Sequence, residues 1–188
     1  AQDNYSFTYV DGTLTIRKNA NEIVITAASD SKVYDGTALT NNGYTYTEGI
    51  LADGDVLTAV VEGTVTNVSE GSVANVVTGY KVMRGTTDVT DRYTFGENID
   101  GILNIKPVKI EITAASDSKE YDGTPLTNDE WNITDGKLVG EDAITVTVSG
   151  SITDPGSTEN VASDAKVVVG AQDNYSFTYV DGTLTIRK

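Results

Sequence analysis

Apolar and polar residues alternate along this chain with a period of two for most of its length. Near the start Tyr5, Phe7 and Tyr9 share one face, Asp11-Gly12 follows, and Leu14 and Ile16 resume the same face. That pattern predicts a β-hairpin turning at Asp-Gly, since glycine accepts the positive φ such turns require. Further strands are expected over 22–27, 55–61, 63–68, 73–77, 108–113, 143–148, 165–169 and 175–180, where Thr, Val, Ile and Tyr predominate. No segment sustains apolar residues at i, i+3, i+4, i+7 over ten positions, so helices are expected to be minor or absent.

The pattern itself repeats. AQDNYSFTYVDGTLTIRK occupies 1–18 and again 171–188, and ITAASDSKVYDGTALTNN at 25–42 returns as ITAASDSKEYDGTPLTND at 112–129. A letter-for-letter identity exceeds anything propensity imposes, so the chain reads as a window on a tandem array. Residues 1–18 read as the closing hairpin of a preceding repeat, 19–106 as a first unit and 107–188 as a second. Between the copies Tyr44 meets Trp131, Leu51 meets Leu138, Leu57 meets Ile144, Val61 meets Val148 and Val65 meets Ile152. These pairs are the candidate core, with Tyr34 and Tyr121 beside them. The copies diverge around 84–91, where a loop is expected to project. Pro107 alone separates the last strand of one unit from the first of the next, which predicts a stiff joint.

Short, regularly spaced strands suggest two immunoglobulin-like β-sandwiches set end to end, with a β-grasp unit as the alternative. The orphan hairpin at 1–18 carries an apolar face. Being identical to 171–188, it could replace that segment in another molecule by strand exchange.

Composition narrows the function. Thirteen Lys and Arg against twenty-eight Asp and Glu leave a net charge of −15. Such a surface repels nucleic acid and anionic membranes, so neither is an expected partner. No apolar run approaches a membrane span. With neither Cys nor His, thiol chemistry, disulfides and the common catalytic triads are excluded, and no catalytic, cofactor or metal site is expected. Asp53-Gly-Asp55, Asp88 with Asp91, and Asn128-Asp-Glu130 offer oxygen ligands, but none has EF-hand spacing.

The stretches Tyr34-Asp35-Gly36-Thr37 and Tyr121-Asp122-Gly123-Thr124, with the closing Tyr-x-Phe-Thr-Tyr-x-Asp-Gly-Thr-Leu-Thr-Ile, resemble the YDG and MBG tandem repeats of bacterial cell-surface adhesin-like proteins. The resemblance implies an extracellular, cell-wall-anchored parent protein. In it these units would be spacers projecting a distal binding domain, their partners the neighbouring repeats of the same chain. The alternative is a weak, multivalent module for mucin or another host glycan. In the first unit Phe95-Gly-Glu-Asn-Ile-Asp-Gly101 departs from the closing pattern by one extra residue.

In the YDGT motif a structural role is expected for Tyr34, Asp35, Gly36, Tyr121, Asp122 and Gly123, and Trp131 is expected in the core. Some surface domains staple themselves with an intramolecular Lys crosslink. Lys32 and Lys119 match in position, but a partner at Asn104 has Thr185 as its counterpart, and Asp35 or Asp122 lies too near in sequence to staple much.

Overall fold

The computed structural model describes residues 6–48 and 50–188. Within them the chain is all-β, with sixteen strands, three short 3-10 turns and no α-helix. Among the described residues no helix is long and apolar enough to cross a membrane. The first half holds β1 (Glu22–Ile23), β2 (Ile25–Ala27), β3 (Asp30–Val33), β4 (Tyr44–Tyr46), β5 (Asp55–Glu62), β6 (Val73–Arg84), β7 (Thr87–Asp88), β8 (Thr94–Phe95) and β9 (Gly101–Lys106). The second half holds β10 (Val108–Ala114), β11 (Asp117–Glu120), β12 (Trp131–Asp135), β13 (Ala143–Ser149), β14 (Gly156–Val169), β15 (Tyr175–Val180) and β16 (Gly182–Arg187).

In the second half β12-β10-β15 form one sheet and β11-β16-β14-β13 another. Ile110, Ile112 and Ala114 from the first sheet meet Ala162 and Ala165 from the second in one core, with Trp131, Ile133, Ile144 and Val148 packed around it. The first half repeats these pairings: β2 with β4, β1 with β8, and the order β3-β9-β6-β5. Its core joins Ile23, Ile25, Leu57, Val61, Val82 and Tyr93.

The expected closing hairpin is corrected by the structure. β15 and β16 do not pair with each other; β15 lies parallel to β10, and β16 lies between β11 and β14. Chain entry and chain exit are thus two long parallel strands that pass from one sheet to the other at the same level. Val108 faces Tyr175 and Glu120 faces Arg187, each twelve residues further on, so the register holds across the switch. Asp-Gly marks the crossing, and its glycine provides proximity in place of a turn. A Cβ on Gly182 would lie 2.3 Å from the Ala115 carbonyl oxygen, and one on Gly101 would lie 2.2 Å from that of Ala28. Residues 6–18, for which the same hairpin was expected, belong to no strand, and residues 1–5 lie outside the described residues.

The switch is fastened from the next strand of the sheet it enters by a fully buried asparagine. Asn75 Nδ2 donates to the carbonyls of Ala28 (2.8 Å) and Asn41 (2.7 Å), and Asn160 Nδ2 donates to those of Ala115 and Asn128 (both 2.8 Å). Each therefore gives a donor to a carbonyl at the kink, as a buried backbone acceptor requires. The extra residue of the first half is absorbed beside this point. The register between entry and exit strands advances by one between Phe95 and Leu103, which shortens β8 to two residues and splits β1 from β2.

Other expectations shift for local reasons. Residues 63–68 form no strand: Val65 makes a single bridge to Leu39, and a 3-10 turn begins at Val68. The strands expected at 73–77 and 165–169 belong to longer β6 and β14, which carry register irregularities against β5 and β13. Around 84–91 the extra residues form an exposed two-stranded hairpin in place of an open loop. β6 turns into β7 through Gly85-Thr86, with Gly85 at φ +59°.

Candidate functional site

Asp35 organises the first YDGT loop. Its Oδ1 accepts the Thr37 backbone N–H (2.9 Å), the Thr37 hydroxyl (2.8 Å) and Lys32 Nζ (2.7 Å), while Lys32 Nζ also donates to Thr37 Oγ1 (2.6 Å). An aspartate that accepts the N–H two residues on mimics a backbone turn, and the glycine between takes the positive φ. Gly36 is at φ +80° and Gly123 at +79°. Asp122 repeats the arrangement with Thr124 and Lys119, at 2.7–2.9 Å. The Lys32 hydrogen bond, followed by those of Thr37, lowers Asp35 to about 2, and Lys119 likewise holds Asp122 well below the usual carboxylate range. Both carboxylates are about half exposed. Their value therefore lies in the loop's shape more than in the ion pair.

The tyrosines of the two motifs have different surroundings. Their backbones match: Tyr34 N–H donates to Lys106 O at 2.9 Å and Tyr121 N–H to Arg187 O at 3.0 Å. The Tyr34 ring, however, reaches into the second half. It meets Tyr175 edge-on, centroids 5.9 Å apart and planes at 79°, and packs on that half's core. Tyr121, expected in the core, is 54% exposed. The Cβ position of Gly36 is 3.2 Å from Val139, whereas nothing lies within 4 Å of that of Gly123. Tyr34 is covered because the second half packs against it.

Around Tyr34 the joint is polar and specific. Asn174, 1% exposed, accepts the Val68 N–H at its Oδ1 and donates from Nδ2 to Asn67 Oδ1, both at 2.9 Å. Tyr175 is fixed from behind: its hydroxyl donates to Asp142 Oδ2 (2.6 Å) and accepts the Val139 N–H (2.9 Å). Burial, followed by the Asp142 bond, pushes the Tyr175 hydroxyl up to about 12.

The first half has the same device without a neighbour. Tyr93 donates to Asp55 Oδ2 (2.5 Å) and accepts the Ala52 N–H (2.9 Å). Arg84 donates to the Asp55 carboxylate from Nε (to Oδ1, 2.6 Å) and Nη2 (to Oδ2, 3.0 Å) and is the leading cause of its lowered pKa. Neither the Tyr–Asp pair nor the buried asparagine was anticipated from the sequence. The signal was present: Asp55 and Asp142 recur at the repeat interval, and Asn75 and Asn160 each lie near the start of a long strand.

The remaining candidates have structural surroundings. Trp131 is half-buried against the second core, and Tyr44, its counterpart, donates its hydroxyl to Leu57 O at 3.2 Å. Of the candidate oxygen ligands, Asp55 is taken by Arg84 and Tyr93, Asp88 by Thr90, and Asn128 by the Glu130 N–H. Lys32 and Lys119 point into their own YDGT loops, and in the β3–β9 register Asn104 faces Ser31. These groups satisfy one another, and the arrangement holds surfaces together. No family model, curated protein or solved structure matches the chain.

Proposed function

We propose that the two halves are tandem immunoglobulin-like repeat units of the YDG/MBG kind, spacers that hold a distal binding region of a bacterial surface adhesin away from the cell. The observation that carries this reading is the joint between them. Pro107 alone separates β9 from β10. Tyr34 on Tyr175 and Asn67 on Asn174 then lock the units by groups that a flexible linker would leave in water. A unit of about eighty residues has a modest core, so a buried polar contact at its end is best explained as a contact made to be repeated.

Small-angle scattering tests the reading. A single compact body of this length has a radius of gyration of about 16 Å, whereas two units end to end exceed about 20 Å. The larger value is expected. The smaller one, or retention of the chain on immobilised mucin glycans, would favour the binding-module alternative.

A further inference from the structure

Each unit has a tail, around the YDG tyrosine, and a head, around the tyrosine of its closing strand. At the observed joint the first unit's tail meets the second unit's head. Two surfaces have no neighbouring unit: the second unit's tail, with Tyr121, Asp154 and Pro155, and the first unit's head, where exposed Arg92 stands beside Tyr93, which is itself buried in the first core. By position Asp154 replaces Asn67, Pro155 replaces Val68, and Arg92 replaces Asn174.

These replacements are matched to one another. At the observed joint Asn174 both donates and accepts, so it needs the acceptor of Asn67 and the N–H of Val68. Arginine only donates. Opposite it the second unit's tail presents a carboxylate, which only accepts, and a proline, which has no N–H to satisfy. Arg92 and Asp154 are both exposed, and among the described residues neither side chain makes a hydrogen bond, Arg92 acting only as one of the more distant charges on Asp55. Arg92 lies in the turn Thr90–Arg92, which corresponds to the turn Gln172–Asn174 at the observed joint. The linker ahead of the first unit is longer than Pro107, and the longer arginine side chain suits a wider gap. Independently, the eighteen residues that lead into the first unit are letter for letter those that close the second.

We infer that the second unit's tail is a docking site for the head of the first unit of another copy of this chain. Asp154 would pair with Arg92 and the exposed Tyr121 ring would be covered by the head beside it, so the array alternates an amide joint with an ionic one. This rests on the spacer reading.

The test is a chain in which residues 1–188 run directly into a second copy of 19–188, which recreates the Lys18–Asn19 sequence at the seam. The protein has no cysteine, so a single introduced pair is unambiguous. Asp154→Cys in the leading copy and Arg92→Cys in the trailing copy should be bridged by a short bismaleimide as efficiently as an Asn67→Cys, Asn174→Cys pair placed across the established joint. Tyr121→Ala in the leading copy should slow the first bridge about tenfold, the factor of a 1.4 kcal/mol loss, and leave the second unchanged. If only the Asn67–Asn174 pair is bridged, or if Tyr121→Ala has no effect, the docking is wrong and the spacer reading stands. If neither pair is bridged, the docking is wrong, and the scattering measurement above decides the spacer reading separately.

Discussion

Residues 1–18 and 171–188 are the same eighteen letters, and the described part of the first copy, 6–18, differs in state from its counterpart at 176–188. In the second copy Leu184 is 0% exposed and Ile186 2%, and both lie in β16 between two strands; in the first, Leu14 is 102% exposed and Ile16 99%. Propensity, alternation and turn chemistry are held constant by the identity, so none of them makes the strand. What differs is the presence of β10, β11 and β14 beside one copy. Measured strand preference is largely the fit of a side chain to its neighbours, and here the neighbours are the only variable.

Removing one copy at a time gives the largest expected contrast. Deleting 171–188 takes out β15 and β16, and with them the Leu184–Ile186 cluster and the partners of β10 and β11. The unfolding transition of the second half should vanish in a denaturant titration followed by Trp131 fluorescence. Deleting 1–18 should leave that transition in place, together with the first half's. If the second deletion unfolds the first half, 1–18 contributes to it and the contrast between the copies is false.

Single residues sharpen the comparison. Leu184→Ala removes a fully buried side chain and should cost about 2–5 kcal/mol. Leu14→Ala, the same change in the same local sequence, should stay within about 0.5 kcal/mol. Equal costs would mean that the first copy is buried in solution.

The smallest effects are in pH. Tyr175 has a folded pKa of about 12, raised from about 10, so its contribution is complete below about pH 10 and is lost as pH rises toward 12. Tyr175→Phe should flatten the alkaline limb of the stability profile. Asp35 has the opposite sign. Its pKa is depressed to about 2, so its contribution is present above about pH 4 and is lost as pH falls toward 2. Asp35→Asn should flatten the acid limb, and an unchanged slope would leave Lys32 without a role in the loop.

Much of this fold was legible in the sequence. Alternation placed β5, β10, β13 and β15 within a residue or two of their ends, because each packs one face on a core. The failures share a cause. Asp181-Gly182 carries a strong turn signal, yet the glycine is there because the Ala115 carbonyl passes within reach of its missing Cβ. The two residues are far apart in the chain, beyond the range of any local rule. The short strands β3 and β11 were missed because Asp-Ser-Lys has no strand preference and is held in place by parallel pairing to β9 and β16.

Of the candidate site, the YDGT loop was readable as a turn because Asp, Gly and Thr act on one another locally. The fate of its tyrosine was not. Tyr34 and Tyr121 have near-identical neighbours in sequence, yet only Tyr34 has the head of another half packed against its ring.

The parallel run of chain entry beside chain exit has a mechanical consequence. The chain enters each half at the start of one strand and leaves from the far end of its parallel neighbour. Tension on the two ends therefore slides these strands past each other along their length. The ladder bonds from Val108–Tyr175 to Glu120–Arg187 share that shear together and cannot be peeled one by one. Gly182 sits in the middle of the sheared seam, and Asn160, its partner on β14, ties the Ala115 carbonyl at the crossing to the strand beside the seam.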